Sequence, residues 1–182
     1  MDFTLDEQQQ DFAASIDAAL GAADLPGAVR AWSAGDTAPG RKVWELLANI
    51  GVTALIVPEK FDGLDATPVD LVVALERLGR WCVPGPVTES IAVAPILLDG
   101  DDRSAGLASG ELIVTVALPP DVPRAVDADS AGLVLLAGSD GVSGAERGDL
   151  HESVDPSRKL FDVNAIGDGW SADTDRAFDI GA

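Results

Sequence analysis

Cys82 and His151 are the only cysteine and histidine of this 182-residue chain, and they limit its nucleophile chemistry. A thiol–imidazole pair would have to use these two, and the sequence context of a catalytic cysteine is missing around Arg80-Trp81-Cys82. Cys82 reads instead as a small buried hydrophobe near a helix end. His151 lies among Asp149, Glu152 and Asp155 and reads as a surface histidine. With one His and one Cys, a zinc site lacks its usual ligands. Asp99, Asp101 and Asp102 suggest calcium, but an EF-hand then requires a glycine and a glutamate where Ser104 and Gly110 stand. The glycine-rich run Gly138–Gly144 has neither dinucleotide nor P-loop spacing, no lysine follows it, and Asp140 would repel phosphate. Asp140-Gly141 is a hairpin signal, so this run reads as a β-turn. No serine sits in a G-x-S-x-G elbow. These residue types and spacings assign no catalytic residue and no metal site.

The elements that would position any site are legible from periodicity. Thr4-Leu5-Asp6-Glu7 has the form of a capping box, and Phe12, Ile16, Ala19 and Leu20 follow at helical spacing, which predicts a helix over 5–20. Residues 21–40 read as a Gly/Ala/Pro-containing connection. A second helix is predicted over 41–49, with Gly51 as its stop. Val52–Val57 is a short apolar link, and residues 58–65 form a turn-rich loop. Thr67 caps a third helix, with Pro68 in its first turn and Asp70 at its positive end. After the Pro84-Gly85-Pro86 break, Thr88–Leu98 reads as a buried helix, apolar nearly all round, with Pro95 as a kink or boundary. A short helix fits 102–108. Leu112–Leu118, Leu133–Leu136 and Leu160–Val163 read as strands. Helices followed by strands give an α+β fold.

Composition narrows the function classes. The formal charge is −19, spread as 17 acids against 7 bases over residues 1–110 and 14 against 5 over 111–182. This balance argues against nucleic acid and against an anionic membrane surface. Apolar residues make up 47% of the chain, enough to bury a core. No apolar run reaches the roughly 18 residues of a membrane span, and the start has no secretory signature. A lone cysteine fits a reducing, cytoplasmic setting.

Several segments, in order, resemble the acyl-CoA dehydrogenase family. Phe3-Thr4-Leu5-Asp6-Glu7-Gln8-Gln9 is similar to the start of its first helix. Leu47-Ala48-Asn49-Ile50-Gly51-Val52 is similar to its L-A-x-x-G step. Val57-Pro58-Glu59-Lys60-Phe61-Asp62-Gly63-Leu64 resembles its P-E-x-x-G-G-x-G loop, with Asp62 and Asp65 replacing glycines. Ala74–Arg80 resembles its x-E-E-L-G-R helix, and Ala94–Leu98 its P-I-L-L element. Val154-Asp155-Pro156-Ser157-Arg158 resembles its D-P-T-R element, and Arg176–Ala182 the start of its C-terminal helical domain. The colinearity of these segments carries the resemblance, which is good over 1–110 and patchy over 111–182.

The resemblance implies an N-terminal all-α helical domain over 1–110, a shortened, antiparallel middle β domain over 111–170, and only the beginning of a C-terminal helical domain over 171–182, the rest of that domain missing. It implies α,β-desaturation of acyl-CoA, in which a carboxylate removes the α-proton and the β-hydride passes to N5 of FAD. The family's base comes from the C-terminal helical domain, and its flavin-contacting segments T-E-P-x-x-G-S-D and W-I-T are replaced here by residues 117–129. The pattern resembles the reduced subunit of heteromeric α2β2 dehydrogenases that act on bulky steroid-CoA thioesters. It therefore implies a second acyl-CoA dehydrogenase subunit as partner, acyl-CoA as substrate and FAD held mainly by that partner. Either a natural short subunit or a fragment fits. The family's acyl pocket maps near Val87, Thr88 and Ile91, for which plain core packing is an equal account. A second reading is a non-catalytic structural or regulatory module that kept the fold. An independent acyl-CoA-binding role is disfavoured, since only three lysines could meet the CoA phosphates. The apolar content also implies an exposed patch left for missing helices or a partner.

Overall fold

The computed structural model describes residues 4–181, so Met1, Asp2 and Phe3 of the opening motif and Ala182 lie outside the described residues. The architecture is α+β. Helices α1 (Glu7–Gly21), α2 (Leu25–Ser33), α3 (Ala38–Asn49) and α4 (Pro68–Arg80) come first, followed by a π-helical turn (Glu89–Val93), α5 (Ala94–Leu97) and α6 (Ser104–Ala108). Strands β1 (Val114–Ala117), β2 (Ala125–Val126), β3 (Leu133–Gly138), β4 (Gly141–His151) and β5 (Leu160–Trp170) form one sheet, and α7 (Thr174–Gly181) follows.

The capping box of α1 is formed by Asp6 and Gln9 rather than by Thr4 and Glu7. The Asp6 carboxylate accepts from Gln9 N at 2.8 Å, and Gln9 Oε1 accepts from Asp6 N at 3.2 Å. Gln9 also donates to Asp70 at 3.2 Å, which ties the start of α1 to the start of α4. The expected connection over 21–40 contains α2. Asp24 caps it by accepting from Gly27 N at 2.9 Å, and Leu25, Ala28 and Trp32 fall on one buried stripe. The signal was a short cap-plus-proline start hidden among small residues.

The helical core gathers Ile16, Leu20, Val43, Trp44, Leu47, Leu71 and Leu78, each at most 3% exposed. Burying such a side chain contributes about 1.5–3 kcal/mol relative to leaving it in water. Gly85 lies at φ +103°, under two indoles. A Cβ there would sit 3.1 Å from Trp44 Nε1 and 3.4 Å from Trp32 Cζ2. Only glycine suits both the left-handed backbone and the two adjacent rings.

The sheet order is β1-β3-β4-β5-β2. All pairs are antiparallel except β1 with β3, which run parallel. The small antiparallel β domain expected from sequence is thus found, antiparallel at every pair but one: residues 118–132 leave β1, form β2 beside β5 and return, so β3 enters beside β1 in the same direction. The Gly138–Gly141 turn closes the β3–β4 hairpin as its composition predicts. β4 falls where no strand was expected, and β5 runs far beyond the expected Leu160–Val163. From Asn164 to Gly169, β5 is exposed on both faces, so no apolar alternation marks it. All four residues of the edge strand β1 are buried. Ser90 on the π-helical turn donates to Val114 O at 2.6 Å and accepts from Val114 N at 2.9 Å, fastening that edge to the helices. Among the described residues, no helix is long and apolar enough to cross a membrane.

Candidate functional site

A cleft of about 280 Å³ opens where the C-terminal end of α4 and the Pro84–Thr88 segment face the β4–β5 connection. Leu75, Leu78 and Val87 form its apolar side, and Thr88, Ser157 and Arg158 its polar side. Each wall has a local cause. The helix α4 is started by Thr67 and Asp70, whose Oδ2 accepts from Thr67 N at 2.9 Å and from Thr67 Oγ1 at 2.6 Å. These bonds hold the Asp70 carboxyl below the usual aspartate range, the Thr67 hydroxyl contributing most. The opposite wall is stiffened by Asp155, whose Oδ1 accepts from Ser157 N at 2.8 Å and Ser157 Oγ at 2.7 Å. The same two bonds, the hydroxyl first, lower the Asp155 carboxyl.

Behind this cleft the helical and sheet parts meet through buried polar groups. Asp127 is 0% exposed, and its carboxylate accepts from Trp32 Nε1 at 3.1 Å and from Lys159 N at 2.9 Å. Its backbone lies at φ +51°, and its N–H donates to Lys159 O at 2.7 Å. Burial pushes the Asp127 carboxyl up, opposed by the Lys159 and Trp32 donors. Glu89, next to Thr88, is half-buried, and burial raises its carboxyl too. The positive charge of Arg158 opposes the rise at both acids. Lys159 Nζ pairs with Asp129 at 2.8 Å, and Arg41 donates to Ser130 O at 2.7 Å.

A second cleft, about 460 Å³, lies along the β3–β4 hairpin and is lined by Pro119, Gly138, Ser139, Asp140, Ser143 and Gly169 among others. A dinucleotide cofactor needs donors or cations for its diphosphate. This cleft offers two hydroxyls and a carboxylate, and its lining includes no cation. This cleft by itself therefore does not fit the diphosphate of a dinucleotide.

Val87 and Thr88 line the junction cleft, whereas Ile91 is 1% exposed and packs in the helical core away from it. Cys82 is exposed at φ +51° where the chain leaves α4, which corrects the expectation of a buried residue. The helix ends there, and the left-handed turn points the thiol outward into the same cleft. His151 is half-exposed, with Nε2 at 2.7 Å from Asp162 Oδ2. That bond, with Arg124 at 3.3 Å adding to it, lowers the Asp162 carboxyl. Asp99, Asp101 and Asp102 build no metal cluster among the described residues; Asp101 pairs with Arg103 instead, at 2.7 Å. Sequence reasoning missed Ser157 and Arg158 as lining residues of the junction cleft. The Val154–Arg158 motif was visible, but its placement opposite Thr88 depends on the long β4–β5 pair.

With this geometry in place, the chain can be set beside known proteins. Residues 6–104 match the family described as acyl-CoA dehydrogenase, N-terminal domain. A curated relative, the acyl-CoA dehydrogenase IpdE2 of Mycobacterium tuberculosis, is 31% identical over 142 residues, which cover 74% of this chain and 44% of that protein. The chain thus spans less than half the length of that relative. The ChsE4–ChsE5 complex from Mycobacterium tuberculosis overlays on 99% of this chain and 61% of its own, with TM-score 0.71 and 20% identity. An acyl-CoA dehydrogenase complexed with FAD from Bacillus anthracis overlays on 97% of this chain and 41% of its own, with TM-score 0.68 and 11% identity. At such identities the two overlays establish the fold alone. The helical match over 6–104, carried by a fold that continues through the β strands, places this chain in the acyl-CoA dehydrogenase family.

Proposed function

We propose that this chain is a subunit, or part of one, of a heteromeric FAD-dependent acyl-CoA dehydrogenase that desaturates acyl-CoA thioesters, including bulky steroid-CoA ones. The observation that supports this reading is the overlay of 99% of this chain on 61% of a chain of the ChsE4–ChsE5 complex, together with the family match over 6–104. The proposed organisation is a helical domain over 1–110, a shortened β domain over 111–170 and the beginning of a third domain over 171–182. When bound, FAD supplies the hydride acceptor. The hairpin cleft offers its diphosphate no cation, so the reading assigns the cofactor mainly to the partner subunit. This chain's assigned part is to wall the acyl group, with Val87 and Thr88 on the cleft surface and Ile91 supporting them from the core.

Co-production with a complete acyl-CoA dehydrogenase subunit tests this. The expected result is a yellow complex with activity that neither chain has alone. Separate, colourless species would overturn it. The cation-poor lining of the hairpin cleft also suits a second reading, a non-catalytic interaction subunit. That reading predicts the same complex with partner activity unchanged when this chain is removed.

A further inference from the structure

The junction cleft sets an unpaired cation beside an apolar wall. Other bases of the sheet and its connections are engaged. Arg124 pairs with Asp162 at 3.3 Å, Lys159 pairs with Asp129 at 2.8 Å, and the Arg147 guanidinium lies 5.6 Å from the centre of the Phe161 ring. Arg158, on the β4–β5 connection, lines the cleft. Among the described residues, no ion pair or side-chain hydrogen bond takes up its guanidinium. Thr88 lines the same cleft, half-buried, and its hydroxyl makes no cap hydrogen bond at the start of the π-helical turn. Leu75, Leu78 and Val87 supply the apolar side. Asp155 is the one carboxylate of the lining, and its own loop holds it: it accepts from Ser157 N at 2.8 Å and from Ser157 Oγ at 2.7 Å. Of the acids behind the cleft, Asp127 is held by donors from Trp32 and Lys159, and burial raises the Glu89 carboxyl toward its neutral form. A guanidinium fork and a hydroxyl next to an apolar surface are the parts that recognise a carboxylate carried on a hydrocarbon body.

We propose that the junction cleft binds a small amphipathic carboxylate, with the carboxylate on the Arg158 guanidinium and the Thr88 hydroxyl and the hydrocarbon body against Leu75, Leu78 and Val87. The Arg158 N–H groups and the Thr88 O–H donate, and the carboxylate oxygens accept. At about 280 Å³ the cleft lies just below the range of pockets that enclose drug-sized ligands. It therefore takes a single ring or a short chain, or one end of a larger group. Two sources offer this chemistry: a free carboxylic acid, or a carboxylate at the far end of an acyl group whose other end is a thioester. The binding site rests on the cleft alone; the second source rests also on the proposed desaturation.

The probe is cyclohexanecarboxylate, added to the full chain. Binding is followed by amide chemical shifts and by alkylation of Cys82, which is exposed and lines the same cleft. Wild type is expected to bind saturably, with Cys82 alkylated more slowly as the cleft fills. Arg158→Gln should weaken binding on the order of tenfold, and Thr88→Val should weaken it several-fold. Arg158→Lys should restore part of the loss, since it keeps the charge without the fork. Arg30→Gln removes an exposed cation of α2 outside the cleft and should leave binding unchanged. Uncharged cyclohexanecarboxamide should bind on the order of tenfold more weakly than the acid. Absence of binding, an amide that binds as well as the acid, or an Arg158→Gln variant that binds like wild type overturns the proposal. In a complex with the partner dehydrogenase subunit, adipoyl-CoA and hexanoyl-CoA separate the two sources. A preference for adipoyl-CoA that Arg158→Gln abolishes assigns the carboxylate to the acyl group. If hexanoyl-CoA is oxidised and Arg158→Gln leaves that ratio unchanged, the ligand is a free carboxylate. An inactive complex counts against the desaturation alone, and the result with the isolated chain stands.

Discussion

Trp32 Nε1 donates to Asp127 Oδ2 over 3.1 Å, between two side chains that are each 0% exposed and lie 95 positions apart. This one bond joins the second helix to the loop after β2. An indole N–H buried without an acceptor costs about 1–3 kcal/mol. Asp127→Ala is therefore expected to destabilise the fold by at least that amount, since Lys159 N loses its acceptor too. A double-mutant cycle with Trp32→Phe, read by urea unfolding, should return a coupling well above zero.

The cap of α4 makes a pH-dependent prediction. The Asp70 carboxyl is lowered in the folded chain, chiefly by the Thr67 hydroxyl. A lowered carboxyl stabilises above its unfolded value and loses that contribution as pH falls through the folded one. Thr67→Ala should cost about 1 kcal/mol at neutral pH. It should also reduce the loss of stability on acidification below about pH 4, measured by thermal unfolding.

Ser90 holds the edge strand β1 with two buried bonds to Val114. Ser90→Ala is expected to destabilise by about 1–3 kcal/mol. Hydrogen exchange should show faster opening at Val114 than at the helical core, which separates loss of this edge from global unfolding.

Gly85 lies at φ +103° under the Trp32 and Trp44 rings. Gly85→Ala meets both a left-handed backbone and a crowded ring edge, so a loss of more than about 1 kcal/mol is expected by denaturant unfolding. The tryptophan emission of the folded state should shift, because the added methyl group displaces the indoles.

For the proposed activity, Val87→Phe fills the apolar side of the junction cleft. In the assembled complex it should lower kcat/KM for a bulky acyl-CoA by on the order of tenfold while leaving assembly unchanged. An unaltered kcat/KM would remove Val87 from the acyl pocket.

Local chemistry in the sequence determined the helical half well. The Thr67 cap, the stripe along α4 and the stop at Gly51 all depend on neighbours within a turn or two, and they stand where the residues say. α2 escaped because its cap and proline sit among small residues, and its decisive residue, Trp32, is fastened to Asp127, distant in the chain. The long β4 and β5 strands were illegible for a related reason. Their glycines, acids and exposed faces carry no apolar period, and only pairing across the sheet makes them strands. The same holds for the candidate site. Val87 and Thr88 could be named from the segment that contains them, while the opposite wall, Ser157 and Arg158, arrives only when β4 and β5 pair and swing their connection over α4. Asp127 reads in the sequence as one more surface acid of a −19 chain. Its burial between two layers was decided by tertiary structure, because desolvating a carboxylate requires donors that local sequence does not contain.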